Sequence, residues 1–355
     1  MSNELVTTRR TLLGGAAALS TLGVAGPTKA AGPDIKTGAD IARAEREGEV
    51  VYYSHDGEAG ASAVVEGFTR DFPSIKAKYV RAQTGALFNK ILAERSAGRF
   101  DVDVIQFSEI GTAVDFQKRG GYARYVSPQA EAYSPEHLSP TPGDYFWVGV
   151  TFAGIAYNTD RVPEADAPRT WKDLLDPRWR NAISAKQATS GMQFMQWYML
   201  RQLYGEDYWK EFAKQKPRGF DARAQLFDRL AKGEDKVCGL AEYAGYALYK
   251  EKKAPLAFVA PPDGLPATPA LAGVVSNAPH PEAAKLFMDW LMSPRGQDIQ
   301  QQNPYLVYGS VRKDAPAMRG GIRLADFKLL APADMTEYLA SHQAFTKQWN
   351  AMLGL

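Results

Sequence analysis

One cysteine, Cys238, in a chain of 355 residues excludes an intramolecular disulfide framework, a cysteine-based zinc site and an iron–sulfur cluster. Histidine is almost as scarce: His55, His137, His280 and His342 are the only four. Nucleophilic catalysis needs a base held beside its nucleophile, and no G-x-S-x-G elbow occurs for one to serve. The nearest segment, Ala188-Thr189-Ser190-Gly191-Met192, lacks the leading glycine. H-E-x-x-H, G-x-x-x-x-G-K-[ST] and a G-x-G-x-x-G after a strand are also missing. Net charge is nearly absent, with 42 basic against 40 acidic residues. Arg9, Arg10, Lys29 and Glu4 all lie in the first thirty positions, so the remainder carries 39 of each sign. Composition therefore gives no reason to expect nucleic acid or a membrane surface as partner. Long apolar runs are missing too. The longest, Gly14 to Gly26, is too short for the roughly 20 residues of a membrane span.

That run has another reading. Thr8-Arg9-Arg10-Thr11-Leu12-Leu13 precedes it, and Thr28-Lys29-Ala30 puts small residues at the −3 and −1 positions of a cleavage site. A basic start, a short apolar stretch and an A-x-A-like end form a secretory signal peptide, here of the twin-arginine type, cleaved near Ala30. With no cysteine at the cleavage point, a lipid anchor is not expected.

Length predicts about two domains at roughly 150 residues each. Strand-like runs at 50–54, 75–80 and 102–107 alternate with helix-like stretches at 59–71, 86–97 and 111–118. This alternation indicates βαβ units around a parallel sheet. A proline-rich loop covers 127–143, and strand patterning resumes over 146–157. The second block has helix-like stretches around 191–204, 206–214 and 221–232, strands at 256–260 and 271–276, and an amphipathic helix from Pro281 to Met292. Cys238, inside an apolar run, reads as a buried strand residue, and the seven tryptophans read as packing. Two α/β blocks, each broken in sequence, suggest two lobes, with crossings near Trp147–Gly154 and Leu265–Leu271. A cleft between them is the natural ligand site.

Four short polar segments follow strands or open helices, where open α/β sheets bind ligands. They contain Ser54 and His55, Thr84 and Gly85, Ser108 and Glu109, and Thr189, Ser190 and Gly191. Taken singly, such a Ser or Thr is also an ordinary helix cap. Helix N-termini carry free N–H groups and partial positive charge, which suit an anion. Glu242, Tyr243, Tyr246 and Tyr249 lie close together, the tyrosines three apart along one broad helical face. Those phenols would bind a hard cation, wall an organic ligand or simply pack.

Several blocks resemble one family. Arg81 to Gly85 with Glu94 to Val104, Thr170 to Trp179, and Asn277 to Lys285 with Ser293 to Gln297 are similar to segments of type II periplasmic solute-binding proteins, in family order. The resemblance implies an α/β, two-lobed periplasmic-binding-protein fold with the ligand cleft between lobes joined by crossover strands. The lobes expected are 31–148 with 270–317, and 149–269 with 318–355. It also implies a periplasmic, monomeric subunit that captures a small-molecule or ion ligand, delivers it to an ABC permease in the inner membrane, and needs no resident cofactor. Within this class the sequence resembles the ferric-ion-binding branch, which implies Glu109, Tyr243 and Tyr246 as metal ligands if the cargo is Fe3+, with an anion at Thr189-Ser190-Gly191. Adjacent tyrosines, typical of that branch, are here separated by Ala244-Gly245, and Phe152-Ala153 replaces its frequent Gly-Arg pair. A small organic or phosphorylated anion is the other cargo that the resemblance allows. The alternative, a secreted α/β hydrolase acting on a small anionic substrate, has no motif to carry it.

Overall fold

The computed structural model describes residues 34–355. The expected leader lies outside the described residues. The chain runs through α1 (Ile41–Glu47), β1 (Glu49–Ser54), α2 (Glu58–Asp71), β2 (Lys76–Arg81), α3 (Thr84–Ser96), β3 (Val104–Phe107) and α4 (Ile110–Lys118). Two 3-10 turns, Pro128–Ala132 and Pro135–His137, occupy the proline-rich stretch before β4 (Phe146–Asn158). Next come β5 (Ile183–Lys186), α5 (Gly191–Tyr204), α6 (Asp207–Ala213), β6 (Arg218–Phe220), α7 (Arg223–Lys232), β7 (Val237–Glu242), α8 (Tyr243–Glu251), β8 (Leu256–Val259) and β9 (Leu265–Val274). The last elements are α9 (Pro281–Met292), α10 (Pro294–Gln302), β10 (Leu329–Leu330), α11 (Met335–Ala340) and α12 (His342–Leu353).

The strands form a curled sheet in the order β2-β1-β3-β9-β4-β7-β5-β6, with β8 on β4 and β10 on β9. β1 lies parallel to β2 and β3, as the βαβ pattern requires, whereas β9 runs antiparallel to both β3 and β4. β4 is the element that joins the two halves. Its first part pairs with β9 from Phe146 to Phe152, and its second with β7 from Ala153 and with β8 from Ile155. A nearly unbroken apolar strand of this kind is stable only when covered on both faces, and every β4 residue except Thr151 is buried.

One large core gathers residues of β1, β3, α9, the first part of β4 and most of β9. A second centres on β5, α5, α6 and α12, with Trp171, Trp197, Trp209 and Trp349 inside it. Phe152, Tyr243, Ala247, Leu324 and Leu265 pack with the first core, so that core extends beyond the lobe limits expected at 148 and 317. All seven tryptophans are buried, and Cys238 lies fully buried in β7, its thiol pushed up to about 12 by loss of water. β9 begins six residues earlier than its sequence pattern suggested. Pro266 and Pro269 interrupt that pattern, yet both sit in register, opposite Leu330 and Val150. Among the described residues, no helix is long and apolar enough to cross a membrane.

Candidate functional site

A cavity of about 730 Å³ opens where the two halves meet. From the first half it is lined by Phe88, Ser108 and the opening turn of α4, Ile110 to Thr112, with Glu109 and Asp115. From the second half come Ser190, Gly191, Met192, Phe194 and Met195 of the α5 opening, together with Glu242. Thr151 and Thr268 line it from the crossover strands β4 and β9, and Met335, Tyr338, Leu339 and His342 from the C-terminal helices.

Each wall follows from local sequence. β3 is a fully buried run, Val-Ile-Gln-Phe, which ends at Phe107; Ser108 follows, and the chain enters α4 at Glu109, its N-cap residue. Thr84 Oγ1 accepts the backbone N–H of Ser108 at 3.1 Å and lies 2.9 Å from its hydroxyl, tying the α3 opening to the β3 end. Opposite, Ser190 caps α5: its hydroxyl oxygen accepts the Gln193 N–H at 3.3 Å, which leaves its own O–H free to donate. Gln193 is buried and holds this turn from below, accepting the Lys186 N–H at 3.1 Å and donating to Gln196, which donates to the Gly239 carbonyl. The opening turns of α4 and α5, whose first N–H groups have no intrahelical acceptor, thus both line one space. The charged side chains are less free. Glu242 accepts from Arg223 at 3.2 Å and Asp115 pairs with Arg119 at 3.1 Å, while Glu109 accepts from the Thr112 hydroxyl at 3.1 Å.

Of the residues expected at the site, Ser108, Glu109, Ser190, Gly191 and Glu242 line the cavity. The others do not. Ser54 is fully buried and donates to Asp56 at 3.0 Å, so its hydroxyl is already committed. His55 lies against the Tyr308 hydroxyl, 3.2 Å from its Nε2, and burial lowers its pKa more than the neighbouring Asp56 carboxylate raises it. Thr84 is buried beneath Ser108, and Gly85 lies exposed one residue further on. Thr189 donates its hydroxyl to Asp221 at 2.7 Å.

Tyr243 and Tyr246 also stand apart from the cavity lining, for a packing reason. Tyr243 stacks on Phe152, ring centroids 5.0 Å apart, and meets Phe258 edge-on at 5.1 Å, with Tyr246 completing the cluster. Burial holds the Tyr243 phenol well above its ordinary range, and its hydroxyl makes no hydrogen bond of good geometry. Gly320, at φ +93°, allows that hydroxyl to fit, because a Cβ there would stand 2.3 Å from it. A phenolate ligand needs the opposite setting, open to the ion and easily deprotonated. Among the described residues, no group of three or more His, Cys, Asp or Glu side chains converges as a metal centre.

The C-terminal lining was missed from sequence. Met335, Tyr338, Leu339 and His342 follow only the two-residue strand β10, which the sequence pattern does not mark, and match no motif. The available signal was a cap, Asp334, which accepts the N–H groups of Thr336 and Glu337 at 2.8 and 3.0 Å, followed by Tyr338, Phe345 and Trp349 at helical spacing.

Comparison with known proteins agrees with this architecture. The Fe(3+)-binding periplasmic protein of Serratia marcescens is 22% identical over 288 residues, covering 76% of this chain and 81% of its own. The periplasmic binding protein AfuA of Actinobacillus pleuropneumoniae, solved with fructose-6-phosphate, superposes with a TM-score of 0.64 at 23% identity, over 86% of this chain and 99% of that one. Iron-bound HitA of Pseudomonas aeruginosa gives 0.67 at 21% identity, over 84% and 99%. The fold is thus the two-lobed α/β periplasmic-binding-protein fold of type II. Residues 103–318, more than half of the chain, match the family described as bacterial extracellular solute-binding protein, and this protein belongs to that family.

Proposed function

We propose that this chain is the periplasmic solute-binding subunit of an ABC importer, and that its cargo is a small organic anion held between the openings of α4 and α5. The observation that carries the reading is the shared space itself. Two helix N-termini, one from each half of the sheet, face a cavity within the range of about 300–1,000 Å³ typical of small-molecule sites. A phosphate, phosphonate or carboxylate would accept N–H bonds from Gly191 and Met192 and the hydroxyl bond of Ser190. Phe88, Ile110 and Met195 would cover the apolar part of the solute. Ligand contacts from both halves favour the closed arrangement over the open one, and the closed form is then presented to the permease. The twin-arginine leader would direct export.

A ferric ion with a partner anion is the competing cargo. It is favoured by Glu109 in the cavity wall and by the iron named for two of the relatives. It is disfavoured by the burial of Tyr243 and by the packing of Tyr246 against Tyr243 and Phe258.

The protein purified from the periplasm, denatured to release what it carries and analysed by mass spectrometry, should yield an organic anion. Thermal-shift measurements with sugar phosphates, phosphonates, carboxylates, and ferric ion with phosphate or carbonate would then rank the candidates. At about 100 times its dissociation constant the true cargo adds about 2.7 kcal/mol of stability. Stabilisation by ferric ion and anion alone, with a visible phenolate-to-iron band, would overturn the organic reading.

A further inference from the structure

The C-terminal helices occupy an unusual place. α12 is anchored in the second core: Phe345 and Trp349 are fully buried there, Trp349 Nε1 donates to the Lys186 carbonyl at 2.8 Å, and Gln348 accepts from Trp197 Nε1 at 2.7 Å. α11 continues this attachment, with Tyr338 stacked on Phe194 at 4.3 Å. Its other side leaves that core and packs on α4, which is rooted in the first core through Ala113 and Phe116. The meeting point is Leu339 on Gly111. A Cβ at Gly111 would lie 2.9 Å from Leu339 Cδ1, so the approach depends on the missing side chain. Leu339 is 54% exposed and belongs to none of the cores; with Met335, Tyr338 and Gly111 it lines the cavity. Burial of an apolar side chain in its own domain therefore does not account for it.

We propose that α11 and α12 form a strap that latches the cavity, with Leu339 of the second half seated against Gly111 of the first and holding the halves together. The contact is apolar, lies at the cavity wall and joins elements rooted in different cores. Opening the cleft would break it, so its strength would set how much of the protein is closed before solute arrives. Each increment of closed population raises apparent affinity in proportion. Only this consequence for affinity rests on the proposed cleft; the latch itself can be read without any solute.

The test is a distance measurement on the whole protein. Lys118→Cys on α4 and Lys210→Cys on α6, both exposed, take spin labels, while Cys238 stays buried and unlabelled. In the absence of added solute, the parent should give a dominant short distance. Gly111→Phe and Leu339→Asp should both shift the distribution to longer distances, Gly111→Phe further, because a bulky ring cannot be accommodated by rotation of Leu339 alone. Leu339 is exposed, so Leu339→Asp should fold even if Gly111→Phe does not. Distributions identical to the parent in folded Leu339→Asp protein would overturn the latch.

Discussion

Two clusters near the crossover strands carry the side chains most suggestive of ligand binding, and they differ in whether the space beside them is empty or filled. At 108–112 and 190–192, backbone N–H groups and a serine hydroxyl border a cavity, so their hydrogen-bonding capacity is still available. At 243–246, phenols with stronger metal-binding chemistry are packed on Phe152 and Phe258, and burial holds the Tyr243 proton in place. Chemical type nominated both clusters; packing separates them. The aromatic cluster also lies where β4 changes partners from β9 to β7, between Phe152 and Ala153.

Denaturant unfolding should expose the contrast most strongly. Tyr243→Ala removes a fully buried ring and should cost about 3–5 kcal/mol, the range for emptying an aromatic site in a core. Ser190→Ala should cost only about 1 kcal/mol, as loss of a helix cap does. Tyr243→Phe, which deletes a buried hydroxyl without a well-formed hydrogen bond, should be nearly neutral. A larger loss for Ser190→Ala than for Tyr243→Ala would reverse the assignment of site and scaffold.

A smaller effect concerns the β1 end, outside the cavity. His55 has a folded pKa below its ordinary value of about 6.5, chiefly through burial, so the unfolded chain binds the extra proton more readily. Its contribution to stability is complete above the unfolded value and is lost as pH falls through it toward the folded value. Melting temperature should therefore decline between about pH 7 and pH 5, and His55→Gln should flatten the decline. His137, also lowered by burial, would leave a residual slope. An unchanged slope in His55→Gln would show that the ring is not held neutral by its surroundings.

Much of the scaffold was legible because periodicity reports which faces are buried. The alternation from β1 to α4, the apolar run of β4 and the amphipathic pattern of α9 all appear in the structure near their expected places. β9 was truncated because prolines mask a strand whose neighbours supply the remaining hydrogen bonds. Strand ends and caps nominated Ser108, Glu109, Ser190 and Gly191, and these four line the cavity, since such positions follow from local geometry. Glu242 lines the cavity, whereas the adjacent Tyr243 turns into the aromatic cluster, a difference set by long-range packing. Leu339 and Gly111 show the same limit: an exposed leucine and a glycine gain meaning only when α11 and α4 are brought together.

The most direct test of the account is isothermal titration of the identified solute into parent, Ser190→Ala and Tyr243→Phe proteins. The cavity reading predicts that Ser190→Ala loses about 1.5–3 kcal/mol of binding, the range for a hydrogen bond to a charged group, while Tyr243→Phe binds like the parent. Unchanged binding in Ser190→Ala together with abolished binding in Tyr243→Phe would contradict it and move the site to the tyrosine cluster.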